Sequence, residues 1–154
     1  MKSKQPPRQS AKEAAVGYLS RRDHAEKELR LKLKNRGYSG ADIDEAVAFC
    51  QDYNWLDDAR FAALMLRNGI AKGWGLMRIR QEMKMKGVHD AIVSQLLEQD
   101  EFDWFEHARE VAQRKFGGSP MDTPKEQARR FRFMQYRGFD FEQIKYALNA
   151  EEEY

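Results

Sequence analysis

Few residues of this 154-residue chain have the types and spacing that catalysis or metal binding requires. The histidines, His24, His89 and His107, are far apart and form no i, i+4 pair, and Cys50 is the only cysteine. Because a zinc site needs several such ligands close together, we expect no metal ion and no cofactor. A lone cysteine also excludes an intramolecular disulfide and suits a reducing compartment.

Two short motifs have both a chemical and a structural interpretation. Asp57 and Asp58 resemble a carboxylate pair for a metal, but they precede an apolar helical segment and are explained as helix caps. The sequence Gly73-Trp74-Gly75 lacks the Lys-Ser/Thr of a phosphate-binding loop, and no predicted strand precedes it. Trp74 is either an exposed contact residue or a buried anchor. We therefore predict a binding protein rather than an enzyme.

The clearest pattern is a basic amphipathic helix that ends at a glycine. Ala25, Leu29 and Leu33 recur at every fourth position and so share one apolar face. Gly37 can adopt the left-handed conformation that closes a helix. On roughly the opposite face lie the cations Lys27, Arg30 and Lys34.

The start of this helix also has a sequence signal. Asp23 is followed three residues later by Glu26, which is the spacing of a capping box. We therefore predict that Asp23 caps the helix.

The basic helix occurs three times, at intervals of 50 and 51 residues between its closing glycines Gly37, Gly87 and Gly138. Capping and cationic positions recur at fixed distances from each glycine. The capping positions are Ser39, His89 and Asp140, and the cations directly before the glycines are Arg36, Lys86 and Arg137. No segment shows the alternation of a strand. We predict an all-α protein of three tandem three-helix repeats, at 11–54, 55–100 and 101–154, after a flexible tail at 1–10.

Charge follows the same period. The net charges are +7 over residues 1–40, −5 over 41–66, +4 over 67–90, −5 over 91–112, +5 over 113–137 and −4 over 138–154. If the repeats stack in register, the molecule has one basic side and one acidic side. Such a basic side can bind phosphates or acidic protein surfaces, and the alternative is an ordinary solvated helix face.

The candidate site is therefore a set of cations on and beside the three basic helices. Its predicted members are Arg21, Arg22, Lys27, Arg30, Lys34, Arg36, Arg78, Arg80, Lys84, Lys86, Arg129, Arg132 and Arg137, with Trp74 as a further contact. No apolar run approaches the ~20 residues of a membrane span, and the N-terminus lacks an apolar signal core. We expect a cytoplasmic protein without membrane contact.

Three motifs resemble those of the RecX regulatory proteins. YLSRRD at 18–23 resembles the family's opening signature, WLDDARFA at 55–62 its central motif, and GWGLMRI at 73–79 the segment that follows. The resemblance covers roughly residues 11–150. For several motif residues the simplest interpretation is a structural role. They are Tyr18, Gly37, Asp57, Asp58, Arg60, Phe61, Gly87 and Gly138.

The resemblance implies a bacterial regulator of the RecA recombinase, with its three-helix repeats in a curved, elongated, solenoid-like array. Family members are understood to bind in the groove of the RecA–DNA filament and to inhibit its extension, ATPase, strand exchange and coprotease activity. It further implies weak or indirect contact with DNA, and we expect a monomer. A DNA-binding module that acts without RecA is the alternative function, and a passive helical scaffold is a third.

Overall fold

The computed structural model of the protein describes residues 9–149. Within this range the chain forms nine α-helices and no strand, which confirms the predicted all-α class. The helices are α1 (Ala11–Arg21), α2 (Glu26–Asn35), α3 (Gly40–Asp52), α4 (Asp58–Ala71), α5 (Leu76–Met85), α6 (Asp90–Glu98), α7 (Trp104–Phe116), α8 (Pro124–Arg137) and α9 (Phe141–Asn149). Residues 1–8 of the predicted tail and residues 150–154, with the three glutamates at 151–153, lie outside the described range.

Local sequence signals set the starts of several helices. The Ser39 hydroxyl accepts a hydrogen bond from the Asp42 N–H at 3.2 Å, as predicted. The carboxylate of Asp140 accepts one from the Gln143 N–H at 2.8 Å. His89, in the equivalent position before α6, accepts one from the N–H of Ala91 through Nδ1. These side chains satisfy backbone donors that have no partner within the helix.

The start of α2 differs from the prediction. The helix begins at Glu26, and no side chain within its own first turn caps it. Its acceptor is Asp58, whose Oδ1 receives the Glu26 N–H at 2.8 Å from 32 residues further along the chain. Asp23 instead forms an ion pair with Arg60 at 3.2 Å. The predicted Asp23 cap was wrong because a distant carboxylate takes the place of the local one.

The three closing glycines all have positive φ angles, +93° at Gly37, +85° at Gly87 and +103° at Gly138. Only glycine adopts this conformation without a steric penalty. Each therefore ends its helix as the sequence pattern predicted.

By Cα packing the chain divides into two compact units, and the division runs through α4, α5 and α6. The first unit contains residues 9–63 and Lys84–Leu96, and the second contains Leu64–Met83 and residues 97–149. The buried side chains of the first unit include Leu29, Leu33, Val47, Cys50 and Leu56. Those of the second include Ala108, Phe116, Met134, Phe139 and Ile144. The apolar face predicted from Ala25, Leu29 and Leu33 is fully buried.

None of the helices formed by residues 9–149 is long and apolar enough to cross a membrane. Over the same residues, no group of three or more His, Cys, Asp or Glu side chains is arranged to hold a metal ion.

Candidate interaction surface

The outer face of α2 carries three of the predicted cations. Lys27 and Lys34 are exposed, and no carboxylate of the described residues lies within 4.0 Å of their ammonium groups. Arg30 lies between them but is paired with carboxylates of Glu26 at 2.8 Å and Asp44 at 2.7 Å. The face therefore presents two free lysines beside an arginine whose charge is already compensated.

Glu28 forms ion pairs with two further predicted cations. Its carboxylate accepts hydrogen bonds from the Arg22 guanidinium, and the Lys86 ammonium lies 3.5 Å away. Burial alone would raise the pKa of Glu28, but the hydrogen bond from Arg22 and the charges around the carboxylate bring it down to about 2. Through their contacts with Glu28 on α2, Arg22 and Lys86 thus stabilise the first unit as well as contributing positive charge.

The central motif, WLDDARFA, has structural contacts in the first unit. Asp57 caps its own helix by accepting the N–H of Ala59 at 2.9 Å. Arg60 donates to the carbonyls of Asn54 and Trp55, in addition to its pair with Asp23. Together with Asp58, which caps α2, these residues fix the α3–α4 loop against α2. Phe61 is buried.

The motif residue Tyr18, together with Tyr38, adjoins a predicted cation near the C-terminus of α2. The guanidinium of Arg36 lies 6.0 Å from the ring centroids of both Tyr18 and Tyr38. This distance is at the outer limit of a cation–π contact.

In the second unit, Trp74 is half-buried and lies beneath Arg78. The Arg78 guanidinium carbon is 4.3 Å from the Trp74 ring centroid and 5.3 Å from that of Tyr136. The Lys72 ammonium lies 4.8 Å from the Trp74 ring. We call Lys72, Trp74, Arg78 and Tyr136 the aromatic–cation stack. Trp74 is thus both packed and part of a charged surface, so neither of its two predicted interpretations excludes the other.

Backbone contacts between the start of α5 and the end of α8 position this stack. The Gly75 N–H donates to the Arg137 carbonyl at 2.7 Å, and the Met77 N–H donates to the Gly138 carbonyl at 3.1 Å. A Cβ atom added to Gly75 would lie 2.4 Å from the carbonyl carbon of Gly138, and one added to Gly138 would lie 2.4 Å from the Cβ of Arg78. Glycine at both positions therefore allows the approach that brings Arg78 against Tyr136.

Behind the stack, His107 is buried, and its Nε2 lies 3.0 Å from the Trp74 carbonyl. Burial lowers the pKa of His107. A neutral ring can donate one hydrogen bond to the Trp74 carbonyl, which fixes the backbone that carries the indole.

The cations of α8 have different environments. Arg132 is exposed, whereas Arg129 forms an ion pair with Glu126 at 2.7 Å and Arg137 donates to the Lys72 carbonyl at 2.8 Å. Arg130, which the sequence pattern did not single out, is buried and binds Glu126 at 2.6 Å. The i, i+4 spacing of Glu126 and Arg130 is the signal that could have identified this pair.

The predicted cations thus separate into two groups. Those without an ion-pair or hydrogen-bond partner of their charged atoms among residues 9–149 are Arg21, Lys27, Lys34, Arg36, Arg78, Arg80, Lys84 and Arg132. Those with such partners are Arg22, Arg30, Lys86, Arg129 and Arg137. The first group has all of its hydrogen-bonding capacity open to a partner molecule, whereas the second has part of it in use within the chain.

The chain is an all-α protein of tandem three-helix domains with a cation-rich surface, as its helix order, closing glycines and unpaired cations show. Models of known protein families identify this class. The first, second and third three-helix domains of RecX match residues 11–50, 57–97 and 101–148. The chain belongs to the RecX family.

Curated relatives agree over nearly the whole length. The chain is 47% identical to the regulatory protein RecX of Vibrio vulnificus (strain CMCP6) over 146 residues, which are 95% of each chain. It is 48% identical to the regulatory protein RecX of Vibrio campbellii (strain ATCC BAA-1116), with 97% of this chain and 96% of the relative covered. Its family is therefore one of regulatory proteins.

A crystal structure of RecX from Lactobacillus salivarius has the same fold. The TM-score is 0.79 at 20% sequence identity, over 92% of this chain and 94% of the other.

Proposed function

We propose that the protein is a non-enzymatic negative regulator of RecA. In this proposal it acts in the cytoplasm as a monomer that binds the RecA–DNA filament and inhibits filament extension, ATPase, strand exchange and coprotease activity. The observation that carries the proposal is the near-full-length match to relatives named regulatory protein RecX.

The surface chemistry supports a partner with negative charge. Lys34 and Lys84 are exposed in the last turns of α2 and α5 and have no compensating carboxylate among the described residues. A nucleoprotein filament offers phosphates and acidic side chains, and either can pair with a free ammonium group. Such long-range attraction would also raise the rate of association at low salt.

The test reverses these two charges. The variant Lys34→Glu/Lys84→Glu should lose inhibition of RecA ATPase on single-stranded DNA, with the half-inhibitory concentration rising by about tenfold or more, because two attractive contacts become repulsive. Both positions are exposed, so circular dichroism should show an unchanged helix content. The matched control is Lys125→Glu/Lys145→Glu, which reverses two exposed lysines outside the predicted set and should inhibit like the natural protein.

Co-sedimentation separates the proposed function from its alternative. The proposal expects the protein to pellet with RecA–DNA filaments and only weakly with DNA alone, whereas a DNA-binding module would bind DNA alone tightly and lose affinity steeply with salt. Failure of the natural protein to bind or inhibit filaments would refute the proposed function. Full inhibition by a folded Lys34→Glu/Lys84→Glu variant would refute only the role of these lysines.

A further inference from the structure

The aromatic–cation stack has an unused hydrogen-bonding group at its centre. The Arg78 guanidinium lies over the rings of both Trp74 and Tyr136, and among residues 9–149 it makes no ion pair or hydrogen bond. An arginine side chain carries five N–H donors in one plane. Contacts with two rings fix the position of the group without using these donors. Arg78 is therefore a preorganised donor for an anion from outside the chain.

Tyr136 provides a second kind of contact beside it. Its side chain lies in the last turn of α8 and is 76% exposed, the highest value among the large hydrophobic side chains of the described residues. Arg78 covers part of the ring, and the rest is in water. An exposed flat ring next to a fixed guanidinium can stack a planar group while the guanidinium binds an anion.

The charged groups in direct contact with the stack are cations. Lys72 belongs to the stack and Arg137 adjoins it, and no carboxylate of the described residues lies within 4.0 Å of the charged atoms of Lys72, Arg78 or Arg137. A ligand that combines a negative charge with a planar π-face matches this chemistry. A nucleotide has both, since each phosphate is joined through its sugar to a base.

We propose that the aromatic–cation stack is a binding site for single-stranded nucleic acid, with a phosphate on Arg78 and a base stacked on Tyr136. Bases in a duplex are stacked on each other, so their faces are closed to Tyr136, and the site selects single strands over duplexes. An acidic protein segment would use Arg78 but would leave the Tyr136 ring without a planar partner. The inference goes beyond the proposed function, which names no residue that contacts DNA.

The test measures binding of a short fluorescein-labelled oligothymidylate by fluorescence anisotropy at low salt, without RecA. Tyr136→Ala should weaken binding by about tenfold, in the range lost when one stacked base is removed, and Tyr136→Phe should retain it. The control is Tyr53→Ala, which removes another exposed tyrosine, 61% exposed, from the first unit and should bind like the natural protein. A labelled duplex of the same length should bind more weakly and respond little to Tyr136→Ala.

Three outcomes would overturn the proposal. They are equal affinity of Tyr136→Ala and the natural protein for the oligothymidylate, equal binding of duplex and single strand, and tighter binding of a labelled poly-glutamate peptide than of the oligothymidylate. Because the experiment contains DNA alone, its failure leaves RecA inhibition to be judged by the ATPase and co-sedimentation tests.

Discussion

Replacing each closing glycine with alanine separates two roles that these residues combine. All three have positive φ, so alanine at each position must adopt a strained left-handed backbone. The expected loss of unfolding free energy is about 1 kcal/mol, after allowance for the reduced entropy of the unfolded chain. Their surroundings differ. A Cβ at Gly37 would meet no atom within 4 Å, whereas one at Gly138 would lie 2.4 Å from the Arg78 Cβ and 2.6 Å from its backbone nitrogen.

The expected losses of unfolding free energy follow from this contrast. Gly37→Ala should lose about 1 kcal/mol, and Gly138→Ala should lose about 2–4 kcal/mol, because overpacking adds roughly 1–3 kcal/mol. Gly87→Ala should lie between them, since the Lys27 Cδ at 2.4 Å can rotate away while the Lys27 Cβ at 2.7 Å is held by its backbone. In a chain of this size, each kcal/mol lowers the melting temperature by about 2–4 °C.

Urea unfolding followed by circular dichroism, together with thermal melting, measures these losses. Gly37→Ala serves as the internal control, because it has the backbone strain without the close approach. Equal losses for Gly37→Ala and Gly138→Ala would refute the argument that close packing against Arg78 requires glycine.

Three other substitutions or reactions test contacts in the first unit. Asp58→Ala should lower the free energy of unfolding, measured by urea titration, by about 0.5–2 kcal/mol, because the Glu26 N–H loses its acceptor. Asp58→Asn keeps an oxygen at this position and should lose less. Equal losses for the two variants would argue against capping. The pKa of Glu28 is about 2 in the folded protein, below its ordinary value of 4.5, so its contribution to stability is present above pH 4.5 and is lost as the pH falls towards 2. Melting temperatures should therefore fall less steeply over this range in Glu28→Gln, and parallel pH profiles would contradict the assignment. Burial raises the pKa of the Cys50 thiol, so a thiol-specific disulfide reagent should react with the unfolded but not the native protein, and rapid native labelling would show that the site opens.

Much of the fold could be predicted because its signals are local. The periodic apolar face of α2, the Ser39 and Asp140 caps and the closing glycines depend on residues within a few positions of each other. Such features survive in the folded structure because tertiary contacts do not compete with them. The position of the Thr123 cap before Pro124 is of the same kind, and its hydroxyl accepts the Glu126 N–H at 3.1 Å.

The contacts that could not be predicted join residues far apart in the sequence. Asp58 caps α2 across 32 residues, so Asp23, which was expected to be the cap, pairs with Arg60 instead. Arg30 fits the pattern of an outward cation, but Asp44, 14 residues away on α3, neutralises it. The contact of Arg78 with Tyr136 likewise depends on how the start of α5 meets the end of α8. Periodicity indicates which face of a helix is polar, and it contains no information about which opposite charges lie across from that face.

The first compact unit is made of two chain segments that are synthesised at different times during translation. The unit includes Lys84–Leu96, although α1 to α3 are complete by Asp52. At a synthesis rate of roughly 5–20 residues per second, Leu96 follows residue 54 by about 2–8 s. Over part of this interval the nascent α2 lacks the carboxylate of Asp58, and for longer it lacks the ammonium group of Lys86 beside Glu28. The contacts of α2 with Asp58 and Lys86 can therefore form only after these residues of the second repeat have been synthesised, so the full stability of the first three helices depends on part of the next repeat.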